Sequence, residues 1–262
     1  MWHRVVAEVL DILPVGKDTY RMRLSAPELV RDARSGQFVE VLCGGVSLPY
    51  LRRPISIHSL DKQCGVLGLL FRVVGSGTEY MASLRAGDNV DLLGPLGNGW
   101  PDVSAKNVLM LAGGIGIAPM PEAAKTYKAA GADVRFLYGA RSEDELVALD
   151  ALEDSGIQPV LATDDGSRGY EGFVTDLLPQ QIEALGDAVV MACGPTPMLR
   201  VAQRICRDMG AVLYVSLEQK MACGVGACLG CVVETVHRSP RYVKVCADGP
   251  VFRADEVVIG DV

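Results

Sequence analysis

Four cysteines constrain this chain more than any other feature. Cys223-Gly-Val-Gly-Ala-Cys228-Leu-Gly-Cys231, followed later by Cys246, has the spacing C-x4-C-x2-C-x14-C. Thiolates at these intervals can ligate a two-iron, two-sulfur cluster. The small residues Gly224, Gly226, Ala227 and Gly230 suit that task, because they let a short loop fold back and bring backbone N–H groups to sulfur. A structural zinc site is the alternative. Zinc modules usually pair two short hooks on separate ribbons, whereas here three cysteines crowd one loop and the fourth stands alone. A disulfide framework is the weakest reading for a chain of 262 residues with no sign of secretion. Cys43, Cys64 and Cys206 have no clustered spacing and are expected to be ordinary buried thiols.

A cluster moves one electron at a time and does no bond chemistry on metabolites. The remainder of the chain is therefore expected to supply an electron source, an adaptor between one- and two-electron steps, and an exit. Its length suits two or three small domains. Composition removes some partners. The net charge is −7 with no basic stripe, so nucleic acid is not expected. The start is not that of a signal peptide, and no run of about 18 apolar residues suggests a membrane helix. The cytoplasm is the expected location.

The first hundred residues read as β-structure. Val5–Leu10, Thr19–Leu24, Phe38–Leu42 and the turn and strand Gly87–Leu92 alternate or cluster as short strands between Gly, Pro and Asp turns, with little helical periodicity. An antiparallel barrel or sandwich follows. Leu51-Arg52-Arg53-Pro54-Ile55-Ser56-Ile57 places a cation and a hydroxyl on one strand, and Pro54 suggests an edge or rim. Leu69–Val74 runs into Gly75-Ser-Gly-Thr78 at the head of a helix-like segment, Glu79 to Leu84, a pattern that can present amides to phosphate. Each of these pieces is weak alone.

After residue 100 the period changes. Asn107–Ala112 is an apolar strand of the parallel type, leading into Gly113-Gly114-Ile-Gly116-Ile-Ala-Pro119 and a helix from about Met120 to Ala130. Strand, glycine turn and helix leave amides free for a pyrophosphate, although Pro119 departs from the G-x-G-x-x-G fingerprint. Strands at Val134–Tyr138, Gln158–Ala162 and Ala188–Ala192 alternate with helical segments near Glu143–Glu153, Thr175–Ala184 and Thr196–Met209. A doubly wound parallel sheet is expected, with ligands beyond the carboxyl ends of its strands. The Gly113 turn and Cys193-Gly194-Pro195 both fall there. On spacing alone Cys193 reads as packing.

Taken in order, the three pieces resemble the ferredoxin–NADP reductase superfamily along the whole chain. Within it they resemble the iron–sulfur electron-transfer subunits of class 1B dihydroorotate dehydrogenases. The likeness rests on Arg53–Ser56, Gly94-Pro-Leu-Gly-Asn-Gly99, Leu217–Gly224 and Cys246-Ala-Asp-Gly-Pro-Val-Phe252. It implies a multidomain α+β chain: an FAD-binding β-barrel over 1–102, an NAD-binding α/β domain over 103–212, and a small plant-type [2Fe-2S] domain over 213–262. It further implies that Arg53, Pro54, Ile55 and Ser56 hold FAD, with Ser56 near the reactive nitrogen and Arg53 toward phosphate. Leu70, Phe71 and Arg72 would line that site, and Gly77 and Thr78 would bind the FAD pyrophosphate. Gly113, Gly114, Gly116 and Pro119 would take the NAD pyrophosphate, and Cys193, Gly194 and Pro195 would lie by the nicotinamide. Cys223, Cys228, Cys231 and Cys246 would ligate the cluster.

The resemblance also implies a partner, an FMN-containing dihydroorotate dehydrogenase catalytic subunit, in a heterotetramer of two copies of each. Electrons would pass from dihydroorotate through this chain to NAD⁺ in de novo pyrimidine (UMP) synthesis, with no general acid or base on the chain. His58 is read as structural. Acidic Glu143, Asp144 and Glu145 after Arg141 favour NADH over NADPH. Related subunits that exchange electrons with ferredoxin or a sulfur compound are the nearest alternative. In those relatives one cluster ligand can be Asp, whereas all four positions here are Cys. A colourless, zinc-stabilised nucleotide-binding regulator is a third possibility.

Overall fold

The structure, a computed structural model, describes residues 2–44, 49–102, 105–237 and 239–260. The boundary expected at residue 103 and the last two residues of the third expected domain lie outside that set.

The N-terminal unit is a closed barrel. Its strands are β1 (His3–Gly16), β2 (Thr19–Ser25), β3 (Phe38–Val41), β4 (Arg53–Asp61), β5 (Val66–Arg72) and β6 (Asn89–Leu96), in the order β1-β2-β5-β4-β3-β6. Alternation explains the strands: Ala7, Val9, Met22, Leu24, Val39, Val41, Ile57, Leu67 and Leu69 point into one core. Helix α1 (Pro27–Asp32) buries Leu29 and Val30 against that core. It escapes a periodicity search because it is under two turns long. Helix α2 (Ser76–Ser83) adds Met81 to the same core. It starts earlier than the expected Glu79. The flavin-type strand β4 is not an edge. It pairs with β3 on one side and β5 on the other, and closure leaves the barrel no edge. Pro54 is tolerated inside it, opposite Glu40.

The second unit is a seven-stranded sheet. Its elements run β7 (Asn107–Gly113), α3 (Met120–Ala129), β8 (Asp133–Ala140), α4 (Leu149–Glu153), β9 (Val160–Thr163), β10 (Tyr170–Glu171), α5 (Leu178–Leu185), β11 (Ala188–Cys193), α6 (Thr196–Met209) and β12 (Val212–Ser216). Strand order is β10-β9-β8-β7-β11-β12, parallel throughout, so the doubly wound expectation holds. Helix α6 is amphipathic, burying Leu199, Ala202 and Cys206, and ends at Gly210 in the left-handed region. The helix expected over Glu143–Glu153 is broken. A 3-10 turn at Glu143–Glu145 gives way to extended Leu146 and left-handed Ala148 before α4 begins. Leu146 and Val147 are pulled into the core, which a continuous helix would not permit.

The last part adds a two-stranded pair, β13 (Val232–Glu234) and β14 (Tyr242–Lys244), and a strand β15 (Val251–Arg253). Strand β15 returns antiparallel to β12 as the seventh member of the sheet. Phe38 and Leu96 of the barrel, Leu217, Val245, Phe252 and the sulfur-bearing Cys231 and Cys246 share one apolar core. The three units therefore meet at that core. Among the described residues no helix is long and apolar enough to cross a membrane. Cys43 and Cys206 are buried as expected, but Cys64 is exposed. It sits in the turn after β4, where Asp61 Oδ1 accepts its backbone N–H at 2.9 Å.

Candidate functional site

The cluster loop is built by backbone freedom at three points. Gly224, Gly226 and Leu229 have φ of 66°, 81° and 59°, so the chain between Cys223 and Cys231 coils tightly. The result aims amides at sulfur. Gly226 N–H donates to Cys246 Sγ at 3.2 Å, Ala227 N–H to Cys223 Sγ at 3.3 Å and Cys246 N–H to Cys231 Sγ at 3.4 Å. The thiols lie close enough to act on one another, Cys223 with Cys228, and Cys246 with both Cys231 and Cys223. Burial raises Cys223, but the amide of Val225, the Cys228 side chain and the amides of Cys228 and Ala227 outweigh it and bring the thiol down to about 6. Cys246 is pushed up to about 12 by burial and then by its neighbour Cys231, a repulsion that a bound iron would reverse.

Among the described residues no three His, Cys, Asp or Glu side chains are arranged to hold a single ion. Backbone amides directed at Cys223, Cys231 and Cys246 suit ligated thiolate sulfur, as an iron–sulfur cluster would supply. Cys231 and Cys246 are 3% exposed, whereas Cys228 is exposed and its neighbour Leu229 is 64% exposed. Cys231 and Cys246 thus face the protein, Cys223 is half-buried, and the loop reaches the surface at Cys228.

The residues expected for a flavin converge on the barrel's other flank. Arg53 lies across Gly77, where a Cβ would come within 2.6 Å of Arg53 Nε. Gly77 stands in the first turn of α2, whose amides have no intrahelical acceptors. The Thr78 hydroxyl is already engaged. It accepts from Val74 N–H at 2.9 Å and donates to Gly75 O at 2.9 Å, so it shapes the turn. Leu70 and Phe71 are buried: Leu70 packs into the core of the second unit, and Phe71 stays in the barrel beside Tyr20. Arg72 ends β5 and bonds Glu145 Oε2 at 3.2 Å, while its Nε is buried without a partner. A buried orphan donor, a bare glycine beside an arginine and open helix amides fit a phosphate-bearing cofactor.

A cleft of about 540 Å³ runs along the carboxyl ends of the sheet. Gly113, Gly114, Gly116, Gly194 and Pro195 line it together with Arg72 and Glu145, so the two turns named from sequence meet on one site. Gly116 packs so closely on the Cys193 carbonyl and Gly194 that a Cβ would have no room. Cys193 itself is buried, its thiol raised by burial and by Glu218 and eased by Ser216, and only its backbone backs the cleft. Pro119 caps α3 behind the cleft and does not line it.

Comparison with known proteins matches this division. Family models match residues 7–100 as an oxidoreductase FAD-binding domain, 110–204 as an oxidoreductase NAD-binding domain, and 218–258 as the iron–sulfur cluster binding domain of dihydroorotate dehydrogenase B. The dihydroorotate dehydrogenase B (NAD(+)) electron transfer subunit of Desulforamulus reducens is 39% identical over 96% of this chain and 97% of that one. The subunit of Bacillus caldolyticus is 40% identical over 94% and 95%. The chain belongs to the family of dihydroorotate dehydrogenase B electron-transfer subunits. A solved structure of an NADH-dependent reduced ferredoxin-NADP oxidoreductase shares the fold at a TM-score of 0.86, with 30% identity over 97% of this chain and 90% of that one. The family assignment makes the chain an FAD, NAD and iron–sulfur oxidoreductase subunit that works with a catalytic partner.

Three residues beside the candidate site of this electron-transfer subunit were not singled out from sequence. Asn98 donates its backbone N–H to Gly249 O at 2.5 Å and its side-chain amide to Asp248 O at 2.9 Å, which docks the two family motifs on each other. Glu218 lines the cleft, and burial raises its carboxyl. Glu40 is buried under the cluster loop, where burial pushes it up to about 7 against the pull of Arg52. A signal existed for Asn98 and Glu218, which lie inside the motifs already quoted. None existed for Glu40, since a polar residue alternating in a strand reads as solvent-facing. Of the acids expected to read the NAD ribose, Glu143 pairs with Arg168 at 3.4 Å, Asp144 accepts from the Ser142 hydroxyl, and Glu145 holds Arg72.

Proposed function

We propose that this chain carries electrons between an FMN-containing dihydroorotate dehydrogenase catalytic subunit and NAD⁺, in the step of UMP synthesis that oxidises dihydroorotate. The observation that carries the reading is that Cys223, Cys231 and Cys246 each accept a backbone N–H at sulfur, with Cys231 and Cys246 in the core shared by the barrel and the dinucleotide-type sheet. In this reading the three units are 1–102, 103–212 and 213–262. Arg53, Pro54, Ile55 and Ser56 hold the flavin, Leu70, Phe71 and Arg72 flank it, and Gly77 presents open amides to its pyrophosphate with Thr78 shaping the turn. Gly113, Gly114 and Gly116 carry the nicotinamide dinucleotide phosphates. Pro119 fixes the helix behind them, and Gly194 and Pro195, backed by Cys193, border the nicotinamide end. Bound flavin supplies the exchange between hydride and single electrons that neither nicotinamide nor cluster can make alone. The chain's own residues place, orient and enclose these groups.

The exposed edge at Cys228 and Leu229 is the face offered to the catalytic subunit, and a heterotetramer with two copies of each chain in the cytoplasm is the working assembly. NADH is the product, in keeping with the NAD(+) in the name of the relatives.

Anaerobic purification with the native partner, followed by dihydroorotate-dependent NADH formation, tests the reading. Turnover that vanishes when the partner is stripped away is the expected result. The likeness to the ferredoxin-NADP oxidoreductase structure supports a second reading, exchange with reduced ferredoxin. A protein that is reduced by NADH, is inert to dihydroorotate and turns over with ferredoxin would establish that one instead.

A further inference from the structure

Glu40 combines an anomaly with a position. It is 1% exposed, and neither carboxylate oxygen has a hydrogen-bond partner. Buried carboxylates are ordinarily bonded or paired, so an orphan needs a reason. The two cations that act on it are engaged elsewhere. Arg52 bonds Asp91 Oδ1 at 2.7 Å and reaches only the backbone carbonyl of Glu40, at 3.3 Å. Arg53 lies on Gly77 and donates to Leu51 O at 2.8 Å. Pro54, directly across the ladder, has no N–H to give.

Register fixes where the carboxylate sits. Glu40 pairs with Pro54 and Phe38 with Ser56, and directly opposed residues share a face. Val39, Val41, Ile55 and Ile57 fill the barrel, so Glu40 and Phe38 share the outer face with Pro54 and Ser56. On that face Glu40 lies against Gly224, where a Cβ would come within 2.7 Å of its Cγ and 2.9 Å of its Oε1. Gly224 directly follows the ligand Cys223. A buried carboxylate without a partner therefore stands between the flavin strand and the start of the cluster loop.

We propose that Glu40 is a positioning residue that sets the reduction potential of the cluster, through the negative charge its carboxyl places, when ionised, between the flavin strand and the cluster loop. The inference rests on the cofactor assignment made above. A negative charge in a low-dielectric setting opposes addition of an electron to a neighbouring centre, so it lowers that centre's potential.

The test is a potentiometric titration of the full chain with its native partner, read by the electron paramagnetic resonance of the reduced cluster. It is run at pH 8.5, on the alkaline side where a carboxyl is ionised most fully. Wild type, Glu40→Gln, Glu40→Asp and Glu40→Met are compared, with flavin and iron content measured for each. Glu40→Gln keeps the shape and removes the charge. At the wild-type midpoint its reduced-to-oxidised ratio is expected to rise about tenfold, or ~59 mV for one electron. Glu40→Asp keeps the charge and is expected to stay near wild type. Glu40→Met removes an unpartnered buried charge, so it is expected to fold and to show the same rise. A Glu40→Gln or Glu40→Met midpoint equal to wild type overturns the proposal, and so does a Glu40→Asp shift as large as that of Glu40→Gln. Wild-type protein lacking iron and flavin would instead overturn the cofactor assignment.

Discussion

His58 Nδ1 lies 2.8 Å from the carbonyl oxygen of Ala118. The bond joins the flavin strand, two residues past Ser56, to the turn that follows Gly116. It therefore fixes the two segments proposed to bind the flavin and the dinucleotide relative to each other. His58 is 2% exposed, so water cannot replace the bond. Replacement by Phe fills the space and leaves the Ala118 carbonyl unpaired. The expected cost is about 1–3 kcal/mol in urea unfolding at pH 8.

The same residue makes stability depend on pH. Burial lowers the His58 pKa, the Ala118 carbonyl opposes this, Arg21 adds to it and Asp150 opposes it. The folded value lies below the unfolded value of about 6.5. Above that pH the ring is neutral in both states and its contribution is fully present. As pH falls through about 6.5, the unfolded chain takes up a proton that the folded chain refuses, and stability is lost. The difference in urea midpoint between wild type and His58→Phe is therefore expected to narrow between pH 7 and pH 5.5. A constant difference would refute this account.

Much of this was legible in the sequence, and the misses have physical causes. Local patterns carried the strands around Val9, Met22 and Leu109, the glycine turn at Gly113, and the cysteine-rich stretch that falls in the iron–sulfur domain. What depends on pairing across long separations did not show. Closure of the barrel by β1 on β6, and the return of β15 to β12, are set by contacts between residues some eighty and forty positions apart. Pro54 suggested an edge because the cost of a missing N–H is local, whereas the closed barrel that absorbs it is not. The Glu143–Glu153 stretch has helical composition, but burial of Leu146 and Val147 overrides propensity. Thr78 has the right residue type at the right place, yet its hydroxyl serves the turn.

Two glycines of the dinucleotide turn should fail in different ways. A Cβ at Gly116 would lie 2.6 Å from the Cys193 carbonyl carbon and from Gly194 Cα, and backbone cannot move aside. Gly116→Ala is expected to push the two turns apart, cost about 1–3 kcal/mol and weaken NADH binding at least tenfold. Gly114 has open space but φ of 52°. Gly114→Ala is expected to cost about 1–2 kcal/mol of backbone strain with a smaller effect on NADH. Thermal melts and NADH titration of both variants check the contrast.

Arg72 tests the flavin assignment without touching the cluster. Its Nε is a buried donor without a partner, and its Nη2 holds Glu145. A charge-assisted bond to phosphate contributes about 1.5–3 kcal/mol, so Arg72→Gln is expected to weaken FAD retention by about 10–150-fold. Iron content and the cluster spectrum should not change. Unaltered flavin content after dialysis would remove Arg72 from the site.

Cysteine substitutions separate ligands from bystanders. Cys246 is 3% exposed, shares a core with Leu217, Val245 and Phe252, and receives the Gly226 amide. Cys246→Ser is expected to lose iron and visible absorption, and also stability, because the cluster would tie the loop to that core and a binding free energy is a folding free energy. Cys64 is equally free of disulfides but exposed on a turn beside Asp61. Cys64→Ser should leave iron, flavin and melting temperature as in wild type. The pair is decisive because a zinc site would lose its metal in Cys246→Ser without any change in colour. Loss of brown absorption together with two irons per chain identifies the cluster, and loss of one zinc from a colourless protein would reject it.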